Sequence, residues 1–569
     1  MNAWQSDWAR ELARAHAGGV SQTFILHGNV QDLVPTQGGY GMLAEFLGSR
    51  MFGRWDLVLH YDLVKGPRPL AGSAERLARM TRRLDRFGAQ AEEWRAAREP
   101  SRALALLDRF LEAVLLCESE RPSVALIFDH AHLLAPEGPA PGRDVAASLA
   151  TLLNWSKNPY FKKSAFAFCL ISERLSDLHE SLVRNAHTTK IEVPMPGEDE
   201  RLSFLSFAAG GRAFSELASV DAGTLSRLTP GLTLVQLQGL VTRAAKTGEP
   251  VSLEALSSDK KRMIESQCGG LVEFVEPRRT LSDVAGNAAA KKRLLEDAGL
   301  LARGDLSAVP MGYLVCGPVG TGKTFLAECY AGSVGIPCLK LRNFRGKYVG
   351  ETEGNLEKIL RVLKSMGPAA VIIDEADAML GNREASGDSG TSSRVFGQFA
   401  AQMGDTSYRG RIVWFLLTCR PDLLPVDLKR QGRAEVHIPL FGPETESELW
   451  DMTRAMAAKN KADLDPAARS ALPPGAALSG ADVEGVVTRA RRLAILSGSR
   501  RIAPEHLSRA FAEFIPQRQS DEKELQTLAA ILECTDMEFL PASFRPRVET
   551  PEGRAALASR FDALRRGFI

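Results

Sequence analysis

The chain has 569 residues, and its 71 lysine and arginine residues almost balance 69 aspartate and glutamate residues. The net charge of +2 provides no global field that would favour nucleic acid or a membrane surface as a partner. The sequence contains no run of roughly 20 apolar residues, the length that a membrane-spanning helix needs. The eight cysteines never form a Cys-x-x-Cys pair, which is typical of reduced thiols and not of a disulfide framework. These features predict a cytoplasmic protein of two to four domains.

The first half contains strand patterns that end in polar residues. Residues 23–28 form an apolar strand pattern, but the residues after it contain no Gly-Lys-Thr string. Residues 125–128 form a second such pattern, which ends in Asp129 and His130. One interpretation is a metal site that uses His27, Asp129, His130 and His132. Their spacing matches no known metal-binding pattern, so we interpret them as polar groups at strand and loop ends.

The second half repeats parts of the first half at an almost constant distance. Asp129 and Asp374 lie 245 positions apart, as do Pro194 and Pro439. Segment 241–244 recurs at 487–490, a distance of 246 positions. Three matches at nearly one offset predict two tandem copies of one α/β domain. The boundary is expected near 270–280, where glycines and a proline interrupt the pattern.

Residues 317–324 read Gly-Pro-Val-Gly-Thr-Gly-Lys-Thr and match the phosphate-binding loop G-x-x-x-x-G-K-[ST], also called Walker A. An apolar strand precedes this loop and a helix is predicted after it. Lys323 would reach the β- and γ-phosphates of a nucleotide, and Thr324 would hold Mg²⁺. The glycines allow backbone N–H groups to surround an anion. The predicted nucleotide contacts here are Gly317, Pro318, Val319, Gly320, Thr321, Gly322, Lys323, Thr324 and Phe325.

Residues 371–377 predict a buried strand that ends in two carboxylates, the Walker B pattern. Asp374 would hold Mg²⁺ through water, and Glu375 would polarise the attacking water. Neighbouring residues on a strand point in opposite directions, so the two carboxylates could take different roles. Together with the phosphate loop, this pattern predicts hydrolysis of a nucleotide with Mg²⁺ as the metal.

With both motifs in place, residues from about 280 to 515 resemble the AAA subgroup of AAA+ ATPases, and residues 20–265 resemble it more weakly. The resemblance implies an α/β fold in two tandem copies. Each copy would have a parallel P-loop NTPase sheet with helices on both faces and an α-helical lid. The implied domains are a degenerate AAA-like domain at 1–270, an ATPase α/β subdomain at 271–442, a helical lid at 443–515 and a helical tail at 516–569.

The resemblance also implies roles for further residues. Asp283, Val284 and Ala285 match the segment whose backbone holds adenine, while Gly480 and Ala481 match the lid residues that close over the nucleotide. Ser479 and Asp482 beside them also fit simple helix caps. The string Lys347, Tyr348 and Val349 resembles a pore loop, in which an aromatic side chain grips an extended polypeptide inside a six-subunit ring.

One departure from the family pattern and one further match to it concern the chemistry. Cys419 stands where the family has an asparagine, the sensor residue that hydrogen-bonds the γ-phosphate or the attacking water. A thiol is a weak donor, so either hydrolysis is slow, or Thr418 or a water molecule takes over that contact. Arg430 and Arg433 resemble arginine fingers that act on the site of a neighbouring subunit.

The resemblance therefore implies an ATP-hydrolysing, hexameric chaperone-type motor that remodels or unfolds a protein client. A nucleic-acid motor is an alternative that the near-neutral charge disfavours. A nucleotide-gated assembly scaffold is a second alternative, which Cys419 keeps open. The chain contains no His-Glu-x-x-His string, so no fused zinc protease is expected.

Overall fold

The computed structural model describes residues 6–88, 97–116, 121–138, 142–342, 351–380, 391–473, 478–515 and 521–567. These residues form two compact units. The first unit consists of the described parts of Met1–Gln267 and Lys347–Ser365, and the second of those of Cys268–Gly346 and Met366–Ile569.

The first unit contains a six-stranded sheet in the order β5-β4-β6-β7-β1-β8 within the described residues. All neighbouring strands are parallel except β4 and β5, which are antiparallel. A separate hairpin joins β2 and β3. The strands are β1 (Thr23–Gly28), β2 (Val34–Thr36), β3 (Gly39–Gly41), β4 (Leu57–Asp62), β5 (Gly66–Pro69), β6 (Val124–Phe128), β7 (Phe166–Ile171) and β8 (Thr188–Val193).

The sheet of the second unit shares the order of its five parallel strands with the first sheet, but its antiparallel edge strand β9 precedes the parallel strands in the chain, whereas β5 follows β4. Its order is β14-β10-β13-β12-β11-β9, and only β9 runs antiparallel to its neighbour. A two-stranded pair, β15 and β16, belongs to the lid. The strands are β9 (Val272–Val275), β10 (Gly312–Cys316), β11 (Cys338–Leu341), β12 (Ala369–Ile373), β13 (Ile412–Thr418), β14 (Val436–Pro439), β15 (Asp463–Leu464) and β16 (Arg501–Ile502).

Helices account for most of the other regular structure. In the first unit they are Asp7–Ala17, Leu43–Phe46, Ala74–Arg86, Pro100–Leu116, Arg143–Lys157, Pro159–Lys162, Glu180–Val183, Glu198–Ala208, Ala222–Leu228, Leu234–Thr247, Leu253–Gln267 and Glu351–Ser365. In the second they are Ala288–Arg303, Lys323–Val334, Ala376–Leu380, Thr391–Met403, Glu446–Lys459, Gly480–Leu496, Pro504–Glu513, Asp521–Glu533, Arg545–Glu549 and Pro551–Gly567.

The central strands of both sheets are buried along their whole length, as β6, β12 and β13 illustrate. Their unbroken apolar runs are typical of parallel strands that helices cover on both faces. In the second unit, the helices Glu446–Lys459, Gly480–Leu496 and Pro504–Glu513 form a separate apolar cluster, the lid. The predicted fold class, two tandem α/β copies with helical lids, is confirmed.

Candidate functional site

The phosphate loop begins where β10 ends and is shaped by close backbone approaches. Gly317 has φ +140°, and a Cβ atom there would lie 2.2 Å from the carbonyl oxygen of Leu440. Only glycine fits such an approach without displacing the neighbouring backbone. Thr321 Oγ1 donates to the carbonyl of Pro318 at 2.9 Å, which tightens the turn. The helix Lys323–Val334 follows directly, so its N-terminal N–H groups and partial positive charge face the loop.

Lys323 and Thr324 direct their side chains to different parts of the site. Lys323 Nζ donates to the carbonyls of Gly317 at 2.8 Å and Pro318 at 3.0 Å. Thr324 Oγ1 donates to Asp374 Oδ2 at 3.0 Å, which joins the loop to the end of β12. The two motifs predicted from the sequence therefore meet in one site.

Asp374 also forms an ion pair with a lysine that the sequence patterns did not identify. Lys340 Nζ, from β11, lies 2.7 Å from Asp374 Oδ2. Burial by itself would raise the pKa of Asp374, but the hydrogen bond and charge of Lys340, with the Thr324 hydroxyl, lower it below its ordinary value. Asp374 is thus held as a carboxylate between a hydroxyl and an ammonium group.

Glu375 is separated from Asp374 by a turn and not by strand alternation. β12 ends at Ile373, and Glu375 adopts φ +49°, a left-handed conformation that is uncommon for glutamate. Its N–H donates to Asp374 Oδ1 at 3.1 Å, while its side chain is exposed. The left-handed turn at Glu375, and not alternation along a strand, therefore sets the positions of the two residues.

The strand β13 brings Thr418 and Cys419 to the same edge of the sheet. Thr418 is buried, and its hydroxyl donates to Asp377 Oδ1 at 2.6 Å and accepts from the N–H of Arg420 at 2.8 Å. Cys419 Sγ lies 3.2 Å from Lys323 Nζ. The thiol therefore reaches the phosphate-loop lysine, whereas the Thr418 hydroxyl is already engaged with Asp377.

Arg430 and Arg433 differ in their surroundings. The side chain of Arg430 is 59% exposed, and its Nε lies 3.4 Å from Asp427 Oδ1. The side chain of Arg433 is only 12% exposed, and its Nη1 donates to the carbonyl of Asp427 at 2.6 Å. In this single chain, Arg430 is available at the surface and Arg433 is packed against its own unit.

The lid contacts the phosphate loop through the start of the helix Gly480–Leu496. Ser479 and Asp482 form a capping box, in which each side chain accepts the N–H of the other residue. The N–H of Ala481 donates to the carbonyl of Gly320 at 3.2 Å. The helix-cap interpretation of this segment is therefore present in the geometry, and Ala481 lies against the phosphate loop.

Two methionines of the lid helix Glu446–Lys459 that the sequence patterns missed lie against Gly480, and Met452 also lies against Gly286. A Cβ atom at Gly480 would lie 3.6 Å from Met452 Sδ and 3.9 Å from Met456 Cε. A Cβ atom at Gly286 would lie 3.9 Å from Met452 Cε. These methionines have no sequence signature, because any apolar side chain on that helix face could fill the same space.

The segment before Gly286 is held by local hydrogen bonds. Asp283 Oδ2 accepts the N–H of Thr280 at 2.8 Å, and the carbonyl of Val284 accepts from Lys291 Nζ at 3.0 Å. Ala285 packs at the edge of the lid cluster. Phe325, after the phosphate loop, lies under the guanidinium group of Arg279 at 5.6 Å. The predicted pore residues Lys347, Tyr348 and Val349 lie outside the described residues.

The first unit retains the outline of this site without its phosphate-binding groups. Gly28 ends β1 with φ +100°, and a Cβ atom there would lie 2.5 Å from the carbonyl oxygen of Val193, as at Gly317. His130 has φ +51° and donates its N–H to Asp129 Oδ1 at 3.1 Å, which matches the turn at Glu375. His60 on β4 occupies the position that Lys340 occupies on β11, because each is paired with the residue two positions before the aspartate. Among the described residues, no three His, Cys, Asp or Glu side chains are arranged to hold a metal ion.

In place of the phosphate loop, the first unit has a buried aspartate. Asp32 is 3% exposed and accepts from the N–H groups of Leu234 and Val235 at 2.9 Å each. These residues begin the helix Leu234–Thr247, which matches the lid helix at Gly480 in the repeat. The N–H of Leu33 and the side chain of Asn29 also donate to Asp32. Burial raises the pKa of Asp32 above its ordinary value, and these four hydrogen bonds oppose that rise.

Comparison with known families places three matches along the chain. The family described as "AAA+ chaperone, N-terminal Rossmann-like domain" matches residues 3–194, and the "AAA+ chaperone, second helical domain" family matches residues 199–269. The family described as "ATPase family associated with various cellular activities (AAA)" matches residues 313–441, which contain the phosphate loop and Asp374. The chain belongs to the AAA+ ATPase family.

Relatives of this AAA+ protein are diverse. It is 31% identical over 263 residues to an ATP-dependent zinc metalloprotease FtsH 1 of Salinibacter ruber, covering 44% of the chain and 38% of the relative. It is 26% identical over 409 residues to the peroxisomal ATPase PEX6 of Rattus norvegicus, covering 65% and 41%. A cell division cycle protein 48 homolog of Archaeoglobus fulgidus is 26% identical over 335 residues, covering 54% and 45%.

The AAA+ chain spans less than half the length of each of these three relatives. No helix in the part of the chain that the structure describes is long and apolar enough to cross a membrane.

Proposed function

We propose that this AAA+ protein hydrolyses ATP and uses the energy to remodel a protein client, working as a hexameric ring. The observation that carries the proposal is the contact between the phosphate loop and the Walker B carboxylate, Thr324 Oγ1 to Asp374 Oδ2 at 3.0 Å. It lies within the stretch that matches an ATPase family. A cytoplasmic location and the four-domain division remain part of the same proposal.

The residues present suit ATP and Mg²⁺. The hydroxyl of Thr324 and the carboxylate of Asp374 are hard oxygen donors, which Mg²⁺ prefers, and they already lie side by side. When bound, Mg²⁺ supplies positive charge that neutralises the phosphate oxygens. In our proposal Lys323 exchanges its two carbonyl partners for phosphate oxygens, and Lys340 yields its place on Asp374.

The remaining side chains take roles that follow from their positions. Glu375 is exposed beside Asp374 and acts as the base that orients the attacking water. Arg430, at the surface, is suited to reach a neighbouring subunit's nucleotide, and Arg433 supports it from the same loop. Gly480 and Ala481 close over the nucleotide opposite Asp283, Val284 and Ala285.

The client-gripping part of the proposal rests on Tyr348, with Lys347 and Val349 beside it. An aromatic ring packs against any side chain and therefore suits a grip that ignores sequence. The relatives are named for different tasks, including a zinc metalloprotease and a peroxisomal ATPase. We therefore propose only that the client is a protein.

A second candidate is a scaffold in which bound nucleotide holds an assembly together. The contact between Cys419 Sγ and Lys323 Nζ favours it, because a thiol stands at the sensor position and cannot donate as an amide does. A scaffold would bind ATP with little turnover.

The test is the Glu375→Gln variant, assayed for ATP hydrolysis and for ring formation by native mass spectrometry. We expect turnover to fall by about 100-fold or more, because the water loses its base, while ATP binding and a six-subunit assembly persist. Glu552→Gln, the same change on an exposed tail residue, serves as the matched control. Parental turnover in Glu375→Gln would reject the proposed chemistry, and negligible turnover in the parent itself would favour the scaffold.

A further inference from the structure

The last described segment of the chain packs as a small cluster of its own. The tail helix Asp521–Glu533 contributes Leu525 and Leu528, and the helix Pro551–Gly567 contributes Leu557 and Phe561. Phe441, which follows β14, packs against this cluster. The family matches end at residue 441, so none of them assigns a role to this tail.

The tail helix contacts the phosphate loop directly. Gln526 is 7% exposed, and its Oε1 accepts the N–H of Val319 at 3.2 Å. Val319 is the third residue of the loop and is 66% exposed. Because a backbone N–H points in one direction, the Val319 N–H is directed towards the tail and is not among the loop donors that can face a phosphate.

The far end of the same helix contacts the segment that carries Arg430. Glu533 forms an ion pair with Lys429 at 2.8 Å and lies 3.3 Å from His437. Lys429 Nζ also donates to the carbonyl of Pro421, two residues after Cys419, at 3.0 Å. The tail helix therefore contacts the site near its middle, through Gln526, and at its far end, through Glu533.

The start of the tail helix also lies near the lid. Lys523 Nζ is 3.9 Å from Asp482 Oδ2, the carboxylate that caps the lid helix. One helix thus contacts the phosphate loop, the lid cap and the segment after β13. These three parts must be held in the correct relative positions when a nucleotide binds.

We propose that the tail helix is a positioning element of the nucleotide site, in which Gln526 holds the outer edge of the phosphate loop in its binding conformation. This inference rests on the proposed nucleotide site. Without the Gln526 oxygen, the Val319 N–H loses its partner and the free loop visits other conformations. ATP then binds only those molecules whose phosphate loop is in the binding conformation. The apparent affinity for ATP falls in proportion to the fraction of such molecules.

The test replaces Gln526 with methionine in the full chain. Methionine has a similar length and removes the acceptor, so packing is largely kept. The probe is ATP labelled with N-methylanthraniloyl, titrated by fluorescence, and steady-state hydrolysis gives KM and kcat separately. We expect the Kd and KM to rise about 5- to 30-fold with kcat nearly unchanged, and faster amide hydrogen exchange in residues 317–324 without nucleotide.

The matched control is Gln402→Met, which changes a glutamine that is equally buried at 8% exposure but has no contact with the loop among its described contacts. We expect it to keep the parental Kd. If Gln526→Met keeps the parental Kd, KM and exchange rates, the positioning role is wrong, although the proposed nucleotide site survives. If the parent protein itself does not bind the labelled ATP, that result contradicts the proposed function and not only the positioning role.

A second variant covers the case in which Gln526→Met does not fold. Glu533→Gln loosens the other end of the tail helix from Lys429 without changing the loop contact. We expect a smaller rise in Kd, roughly 2- to 5-fold, because the helix keeps its apolar packing. A folded Glu533→Gln protein with parental affinity and parental loop exchange would overturn the inference.

Discussion

Replacing Asp32 with alanine should destabilise the first unit while leaving the chemistry of the second unit in place. In the first unit the carboxylate of Asp32 takes the place of the phosphate loop and accepts the first two N–H groups of the helix Leu234–Thr247. The third N–H of this helix, from Gln236, is accepted by Thr233. Asp32 therefore joins the sheet to the helical lid where a nucleotide would do so in an intact copy.

The size of the effect follows from the lost contacts. Loss of a helix cap costs about 0.5–2 kcal/mol, and a buried N–H left without a partner costs about 1–3 kcal/mol. The N–H of Leu234 is buried, whereas that of Val235 is partly exposed and can bind water. We therefore expect a loss of about 3 kcal/mol, or about 6–12 °C in the Tm of a domain of this size.

Differential scanning calorimetry of the full chain, with and without ATP, tests this prediction. Nucleotide should raise the melting transition of the second unit and leave that of the first unit unchanged, which identifies the two. The matched control is Asp199→Ala, an exposed aspartate of the same unit, with an expected change within about 0.5 kcal/mol. A first-unit transition in Asp32→Ala that stays within 1 °C of the parent, by roughly the same scaling, would refute the reasoning.

Three further predictions concern the second unit. Cys419→Asn, which restores an amide donor next to Lys323, should raise kcat about 10-fold, and an unchanged or lower kcat would mean that the thiol is not what limits turnover. Tyr348→Ala should keep ATP hydrolysis but lose processing of a folded, tagged client, and unimpaired processing would contradict the gripping role. Both ring nitrogens of His437 face carbonyl oxygens, and although burial lowers its pKa, the contacts with Glu533 raise it overall above its ordinary value. The protonated His437 therefore stabilises the folded second unit. This stabilisation is complete below the unfolded-state pKa of about 6.5 and is lost as the pH rises through the folded-state pKa. The Tm of the second unit should therefore fall as the pH rises above about 6.5. His437→Gln should reduce that slope, and equal slopes in the two proteins would contradict the assignment.

Much of the nucleotide site could be predicted from the sequence because its parts are local. The phosphate loop, the pair Asp374 and Glu375 and the cap at Ser479 are each set by a few consecutive residues. Their backbone conformations depend mainly on glycine positions, strand ends and helix starts. The duplication was also visible, because both copies keep the same spacing between strand ends.

The contacts that distinguish this chain were decided by tertiary structure. Asp32 meets Leu234 across 202 positions, and Gln526 meets Val319 across 207. Met452 fills a space between two glycines, Lys340 reaches Asp374 from a neighbouring strand, and the Thr418 hydroxyl is engaged by Asp377. Such partners depend on which surfaces pack together, and packing leaves no periodicity or fixed spacing in the sequence. The sequence alone thus determined which groups could bind a nucleotide, and only the packing of the chain decided which residues hold those groups in place.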